Sequence, residues 1–240
     1  MVAAGTSWSI RAIVCVQAGN VNTGAFDPMS EIVPAAKEMG AWVHVDGAFG
    51  FWAAVSPKLS HLTNGQELAD SWATDAHKYL NVPYDAGVAL VRNPEALARE
   101  MNVSAAYLIG GGQDPFFFTP EMSRRARGIP TWAVLKTLGR TGLIELVERT
   151  VHLAQLFARR LSEAGFEILN DVVLNQVLVS FGEPEETNRI VKAIQEEGTL
   201  FAGPTVWQGR AAMRISVSNF KTTDDEVERS IEAIVRLARA

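Results

Sequence analysis

The sequence is short of the residues that would staple it, anchor it or draw it to polyanions. One cysteine, Cys15, stands in 240 residues, so no intramolecular disulfide forms, which fits a reducing compartment. Set within Ile13-Val14-Cys15-Val16, its thiol reads as a small buried hydrophobe. No apolar run nears the ~20 residues that a membrane-spanning helix needs. Residues 1–9 lack a basic segment leading into a long apolar core, so no signal peptide is read. Positive charge is in deficit: Lys and Arg number 22 against 27 Asp and Glu, a formal net charge of −5. Without a basic stripe this argues against a nucleic-acid binder and leaves room only for a local basic pocket. Repeats and low-complexity stretches are missing too. What remains suits a cytoplasmic globular protein with a sizeable core, at 48% hydrophobic and 20% charged residues, built as one large domain or two smaller ones.

The first half alternates strand and helix. Residues 10–16 read as a buried strand, followed by the glycine- and amide-rich loop 17–24. Asp27 is expected to cap a helix with Pro28 in its first position, running to Met39 and stopping at Gly40. Residues 41–45 form the next buried strand, so strand, loop, helix and strand make a βαβ unit with a parallel sheet. A third strand lies in 68–73 and a fourth at 87–91, with a short helix over 94–101. The segment 109–120, with Phe116, Phe117 and Phe118 between glycines and prolines, reads as a loop that docks on its own chain or on another subunit. Arg124, Arg125 and Arg127 form a basic cluster that is a solvated helix start, an anion site or an ion-pair hub. Two helical patterns follow, at 131–137 and 143–161. The rest reads as a compact α+β unit: strand 172–181, helix 184–197 closed by Gly198, strands 199–206 and 211–218 with Arg214 inside the latter, and a final helix capped by Thr222-Thr-Asp-Asp-Glu226. The domain boundary falls near 142, giving domains 1–142 and 143–240.

Ligands of open α/β sheets sit beyond the carboxyl ends of the strands. Asn20 to Thr23 follow the first strand, His44 and Asp46 end the second, and His77 and Lys78 follow the third. A lysine set between apolar strands is costly unless it has a task. One such task is Schiff-base formation, since desolvating an amine frees its lone pair. If the partner is pyridoxal phosphate, a carboxylate must keep the pyridine nitrogen protonated, and Asp46 is the candidate. His77 offers an N–H to the phosphate, Ala48 is small enough to lie under the ring, and Thr23 or Asn22 could reach the phenolic oxygen or a substrate carboxylate. His44 shares the strand face of Asp46 and could position it. Each also has a plain structural reading: Asp46 as a turn residue, His77 as a satisfied core histidine, Ala48 and Thr23 as packing.

His44-Val-Asp-Gly-Ala-Phe-Gly50 with Ala69-Asp-Ser-Trp-Ala-Thr-Asp-Ala-His-Lys78 resembles the pyridoxal-phosphate-dependent group II amino acid decarboxylases. Asn20-Val-Asn-Thr-Gly-Ala-Phe-Asp-Pro28, Asn64-Gly-Gln-Glu-Leu-Ala-Asp-Ser71 and Ser123-Arg-Arg-Ala-Arg-Gly128 are similar to that family too, in its order and spacing. The resemblance implies an aspartate-aminotransferase-like α/β fold: part of the mostly parallel-sheet large domain of a fold type I enzyme, then a small C-terminal α+β domain. It implies Lys78 as the Schiff-base lysine, Asp46 as the pyridinium partner, His77 and Asp75 at the phosphate, Ala48 under the ring and Thr23 near the cofactor. It also implies a homodimer acting on an amino acid, with carbon dioxide lost and an amine formed.

Two features depart from the family pattern. The resemblance covers roughly the second half of a member, without the loop and stacking histidine of the first half. A half sheet exposes edges and apolar faces, so weak cofactor binding and association with a partner are expected. Tyrosine is the other scarcity: the chain has three, none after Tyr107, whereas many members return the proton to Cα from a loop tyrosine. Transamination or oxidative deamination therefore stands beside decarboxylation, and an inactive structural or interaction module stands as a third reading. Phe49, Trp52 and Phe116 would suit a bulky or aromatic substrate, or are plain core.

Overall fold

The computed structural model describes residues 12–101 and 114–240. Ile10, Tyr107 and the glycine-rich start of the 109–120 loop lie outside the described residues. Strand β1 (Ile13–Gln17) leads through the amide-rich loop to helix α1 (Met29–Glu38) and strand β2 (Trp42–Asp46). Three short 3-10 turns precede β3 (Ser71–Asp75), and β4 (Gly87–Val91) follows. The sheet order is β1-β2-β3-β4, parallel through β3 and antiparallel at β4.

The two-residue period of a strand decides what this sheet buries. Val16, Val43 and Val45 turn to one face and meet Met29, Val33 and Ala36 of α1. Full burial of one such valine is worth roughly 1.5–3 kcal/mol. The alternate residues turn the other way, where no described element covers them. Ile13 is 71% and Trp42 38% exposed, and Cys15 is exposed as well. This corrects the reading of Cys15 as buried: an apolar run in a parallel strand suggests two covered faces, and the described elements cover only one.

The helix start also differs from expectation. Asp27 does not cap α1. Its carboxylate accepts the Gln17 N–H at 2.7 Å, and its own N–H donates to the Gln17 carbonyl at 3.0 Å. The loop folds back onto the end of β1, so the carboxylate is spent there and Pro28 takes the cap position.

Helix α2 (Pro94–Met101) packs against the turn Pro115–Phe117, where the Phe116 and Phe117 rings lie 4.3 Å apart. The described part of that aromatic segment thus docks on its own chain. The two expected helices after it are one run, α3 (Gly128–Glu163), broken at Gly139, whose φ of 59° is outside the helical region and suits glycine.

Beyond α3 stands a second sheet, antiparallel, in the order β5-β6-β8-β7. Its strands are β5 (Glu167–Ile168), β6 (Gln176–Ser180), β7 (Gly203–Trp207) and β8 (Arg210–Ser216). Helices α4 (Pro184–Glu197) and α5 (Asp224–Ala238) cover it with Ile190, Ile194, Ile231 and Ile234 against Val177, Val179 and Met213. The expected capping box opens α5, with Thr223 and Glu226 exchanging bonds. Among the described residues no helix is long and apolar enough to cross a membrane.

The loop after β1 locks the two sheets together. The Asn170 amide donates to the Thr23 carbonyl at 2.9 Å and the Thr205 hydroxyl to Asn22 Oδ1 at 3.0 Å. Gly24 sits at φ +73°, and a Cβ there would lie 2.8 Å from Gln176 Oε1.

Candidate active site

Beyond β3 the chain makes a tight turn. Ala76, Tyr79 and Leu80 are buried and act as its anchors. The Tyr79 phenol lies 3.1 Å from the Thr150 hydroxyl, and its full burial pushes its pKa far above the ordinary phenol range. The Asn81 amide donates to the carbonyls of Lys78 at 3.3 Å, Tyr79 at 2.8 Å and Ser218 at 2.8 Å, tying the turn to the C-terminal unit. These anchors leave Lys78 projecting from the turn.

Lys78 is half-buried, with its side chain 29% exposed. Its Nζ lies 2.8 Å from Asp75 Oδ2 and 4.7 Å from the centre of the Phe49 ring. The amine is therefore ion-paired rather than sealed in apolar surroundings, because it reaches toward the uncovered side of the sheet. On its neighbour His77, Nδ1 accepts the Ala86 N–H at 3.1 Å, so in the neutral ring the proton sits on Nε2. The Tyr84 ring lies on that imidazole, centroids 4.2 Å apart.

Asp46 ends the neighbouring strand. Its Oδ1 accepts the Ala48 N–H at 3.1 Å, an arrangement of the Asx-turn kind, and no described group bonds Oδ2. Ala48 is half-buried just beyond it. His44 shares the face of Asp46 but bonds elsewhere: its Nδ1 lies 2.8 Å from Ser71 Oγ, which also accepts the Trp42 indole N–H at 2.8 Å. Register explains this, since His44 sits opposite Ser71 while Asp46 sits opposite Ala73. Thr23 is not brought to this corner. Its hydroxyl accepts the Ala25 N–H at 3.2 Å and faces Asn20 Oδ1 at 3.4 Å, inside its own loop. It lines a separate hollow of about 530 Å³ with Asn170 and Trp207.

The basic cluster is an ion-pair hub. Arg127 forks onto Asp85 at 2.7 and 3.3 Å and reaches Glu121 at 3.2 Å. The Arg127 hydrogen bond draws the Asp85 carboxyl below its usual range. Two further residues acquire meaning only in three dimensions. Tyr84 was not singled out by its sequence context. Arg214 was legible as an arginine inside an apolar strand, and it stands half-buried, without a carboxylate partner among the described residues, its Nη1 3.4 Å from the Val21 carbonyl. A hollow of about 840 Å³ opens beside the lysine turn, against Leu80, Val134, Leu138 and Phe220, but none of Lys78, His77 and Asp46 lines it.

A lysine turn past one parallel strand, a carboxylate at the end of the next, an antiparallel edge strand and a smaller α+β unit define the class: this is the architecture of the fold type I pyridoxal-phosphate enzymes. The chain superimposes on Oryza sativa TDC, solved with PLP and tryptamine, with a TM-score of 0.88, over 95% of this chain and 50% of that one, at 23% identity. It belongs to the pyridoxal-dependent decarboxylase family, whose conserved domain matches residues 4–182. It is similar to histidine decarboxylase of Drosophila melanogaster, 31% identical over 231 residues, covering 94% of this chain and 27% of that protein. It is also similar to 4-hydroxyphenylacetaldehyde synthase of Rhodiola rosea, 33% identical over 159 residues, covering 65% of this chain and 32% of that one. The chain spans only part of its relatives' length, 27% of the fly histidine decarboxylase and 56% of an aromatic-L-amino-acid decarboxylase of Drosophila lebanonensis.

The groups present suit pyridoxal phosphate. A primary amine is held by a carboxylate at the strand end, Asp46 keeps one oxygen without a partner among the described residues, and the sheet surface beside Asp46 is floored by Ala73 and Ala89 in register.

Proposed function

We propose that this chain carries the lysine-bearing part of a pyridoxal-phosphate-dependent amino acid decarboxylase, a carboxy-lyase. The observation that carries the reading is the presentation of Lys78, paired to Asp75 and adjacent to His77, next to the strand end that holds Asp46. When bound, the cofactor supplies an electron sink for the pair released with carbon dioxide. The protein's share is to place charges and protons around it.

In this reading Lys78 would hold the cofactor by its Nζ. Asp75 pairs with Nζ and holds it at the strand end. Asp46, through Oδ2, would keep a proton on the pyridine nitrogen. His77 Nε2–H would serve the phosphate, and Ala48 would lie under the ring. Thr23 contributes through the shape of its loop, and His44, fixed on Ser71, steadies the strand that ends in Asp46. Arg214, half-buried and without a carboxylate partner among the described residues, is a cation that suits a substrate carboxylate. Residues 1–142 form part of the large domain and 143–240 the small one. Phe49 beside Nζ and the names of the relatives favour an amino acid with a ring in its side chain. The uncovered sheet face favours a homodimer or a companion segment, and the single cysteine favours the cytoplasm.

An oxidative outcome, releasing an aldehyde, is the second reading. It is favoured by the absence of any tyrosine after Tyr107 and by the synthase among the relatives. Borohydride reduction in the presence of pyridoxal phosphate, then peptide mass analysis, is expected to place the cofactor on Lys78. Product analysis with aromatic amino acids under air then separates amine plus carbon dioxide from aldehyde plus carbon dioxide and ammonia, the latter outcome consuming dioxygen and forming hydrogen peroxide. Labelling spread over other lysines, unchanged in Lys78→Ala, would overturn the proposal.

A further inference from the structure

The segment 83–86 lies across His77 and is held down at several points. Arg127 forks onto the Asp85 carboxylate at 2.7 and 3.3 Å, and its side chain is only 22% exposed. Arg125 Nη2 reaches the carbonyls of Pro83 at 3.4 Å and Asp85 at 3.3 Å. Between these ties Tyr84 is 74% exposed, so burial of its own surface does not explain its position, yet its ring lies on the His77 imidazole at 4.2 Å. The next residue, Ala86, donates its N–H to His77 Nδ1 at 3.1 Å and accepts the Ala76 N–H at 2.8 Å. One face and one nitrogen of the imidazole are therefore fixed by the same strap, and Nε2 is the atom left to donate.

We infer that this strap, tied down by Arg125 and Arg127, positions His77: it selects the Nε2–H form and aims that proton at the phosphate of the cofactor. The inference rests on the reading of Lys78 as the cofactor-bearing lysine and adds Tyr84, Asp85, Arg125 and Arg127 as positioning residues that need not touch the cofactor. A bidentate arginine is the apt tie, since a planar fork fixes direction as well as distance. At metal centres the groups hydrogen-bonded to a ligating histidine set its tautomer in the same way.

Two measurements test it. Long-range proton–nitrogen spectra of the imidazoles are expected to report a single Nε2–H form for His77 in the wild type and in Tyr84→Phe, and a mixture in Tyr84→Ala and Arg127→Ala. Affinities are then compared for pyridoxal phosphate and for pyridoxal, which lacks the phosphate. Tyr84→Ala and Arg127→Ala are expected to weaken the phosphorylated ligand on the order of tenfold and leave pyridoxal unchanged, as loss of one charge-assisted hydrogen bond implies. Tyr84→Phe is expected to behave as wild type. A phosphate preference and a His77 spectrum both untouched by Tyr84→Ala would overturn the strap. Borohydride labelling of wild type against Lys78→Ala tests the underlying reading on its own: without labelling that reading falls, and with labelling but no response to Tyr84→Ala the strap alone falls.

Discussion

Asn81 is the residue through which the lysine turn is held to the rest of the molecule, and its removal should be felt at both. Its amide has two protons and three carbonyl partners, of which Tyr79 and Ser218 are the short ones at 2.8 Å. Its backbone sits at φ 52°, a region asparagine tolerates and alanine does not. Loss of two part-buried hydrogen bonds costs about 1–3 kcal/mol, and left-handed backbone in alanine about 1 kcal/mol more. Asn81→Ala should therefore destabilise by roughly 2–4 kcal/mol, while Asn81→Gly, which loses the amide but keeps the conformation, should lose about 1 kcal/mol less. Urea unfolding of the three proteins, read by tryptophan fluorescence, gives the differences. A pyridoxal-phosphate labelling rate at Lys78 measured in parallel should fall in both variants, since the bond to the Ser218 carbonyl is absent in each. Stability within about 0.5 kcal/mol of wild type for Asn81→Ala would refute the reasoning, because surface substitutions of no structural consequence fall in that range.

Gly24→Ala should destabilise by more than about 1 kcal/mol, since the new Cβ meets Gln176 Oε1 at 2.8 Å in a left-handed conformation; thermal melting checks it, and an unchanged midpoint would contradict the contact. Asp70 gives a prediction in pH. Burial alone would raise its pKa, but the Lys37 ammonium at 2.5 Å and the Val43 N–H at 2.8 Å carry it below 3.8. A depressed carboxyl stabilises the fold above its unfolded pKa, so this contribution is complete at neutral pH and is lost as pH falls through 3.8 toward the lower native value. Acid titrations should show a shallower loss of stability below that point in Asp70→Asn than in wild type, and parallel curves would count against the ion pair.

The local parts of the fold were legible, and the non-local parts were not. Alternating apolar runs and a glycine-rich loop sufficed for β1, α1 and β2, and Thr223 with Glu226 announced α5. Lys78, His77 and Asp46 could be nominated because each stands at a strand end. Their partners could not be. His44 meets Ser71 across 27 positions through strand register, and Arg127 meets Asp85 across 42. The same holds for Asp27, whose type suits a helix cap but whose carboxylate is claimed by Gln17 once the loop folds back. Thr23 failed to reach the lysine corner because the loop uses its hydroxyl internally. Two-residue β5 carries too short a pattern to be read at all.

The uncovered face of the first sheet also makes the lone cysteine an instrument. Cys15 stands in register with His44 on the surface that carries Ile13, Trp42 and Asp46. Its thiol is open to a reagent while that surface is bare and closed to it once anything is laid across. Being single, it needs no engineering and reports from one known place. The rate at which it reacts is thus a direct gauge of whether the sheet beside the lysine has found its cover.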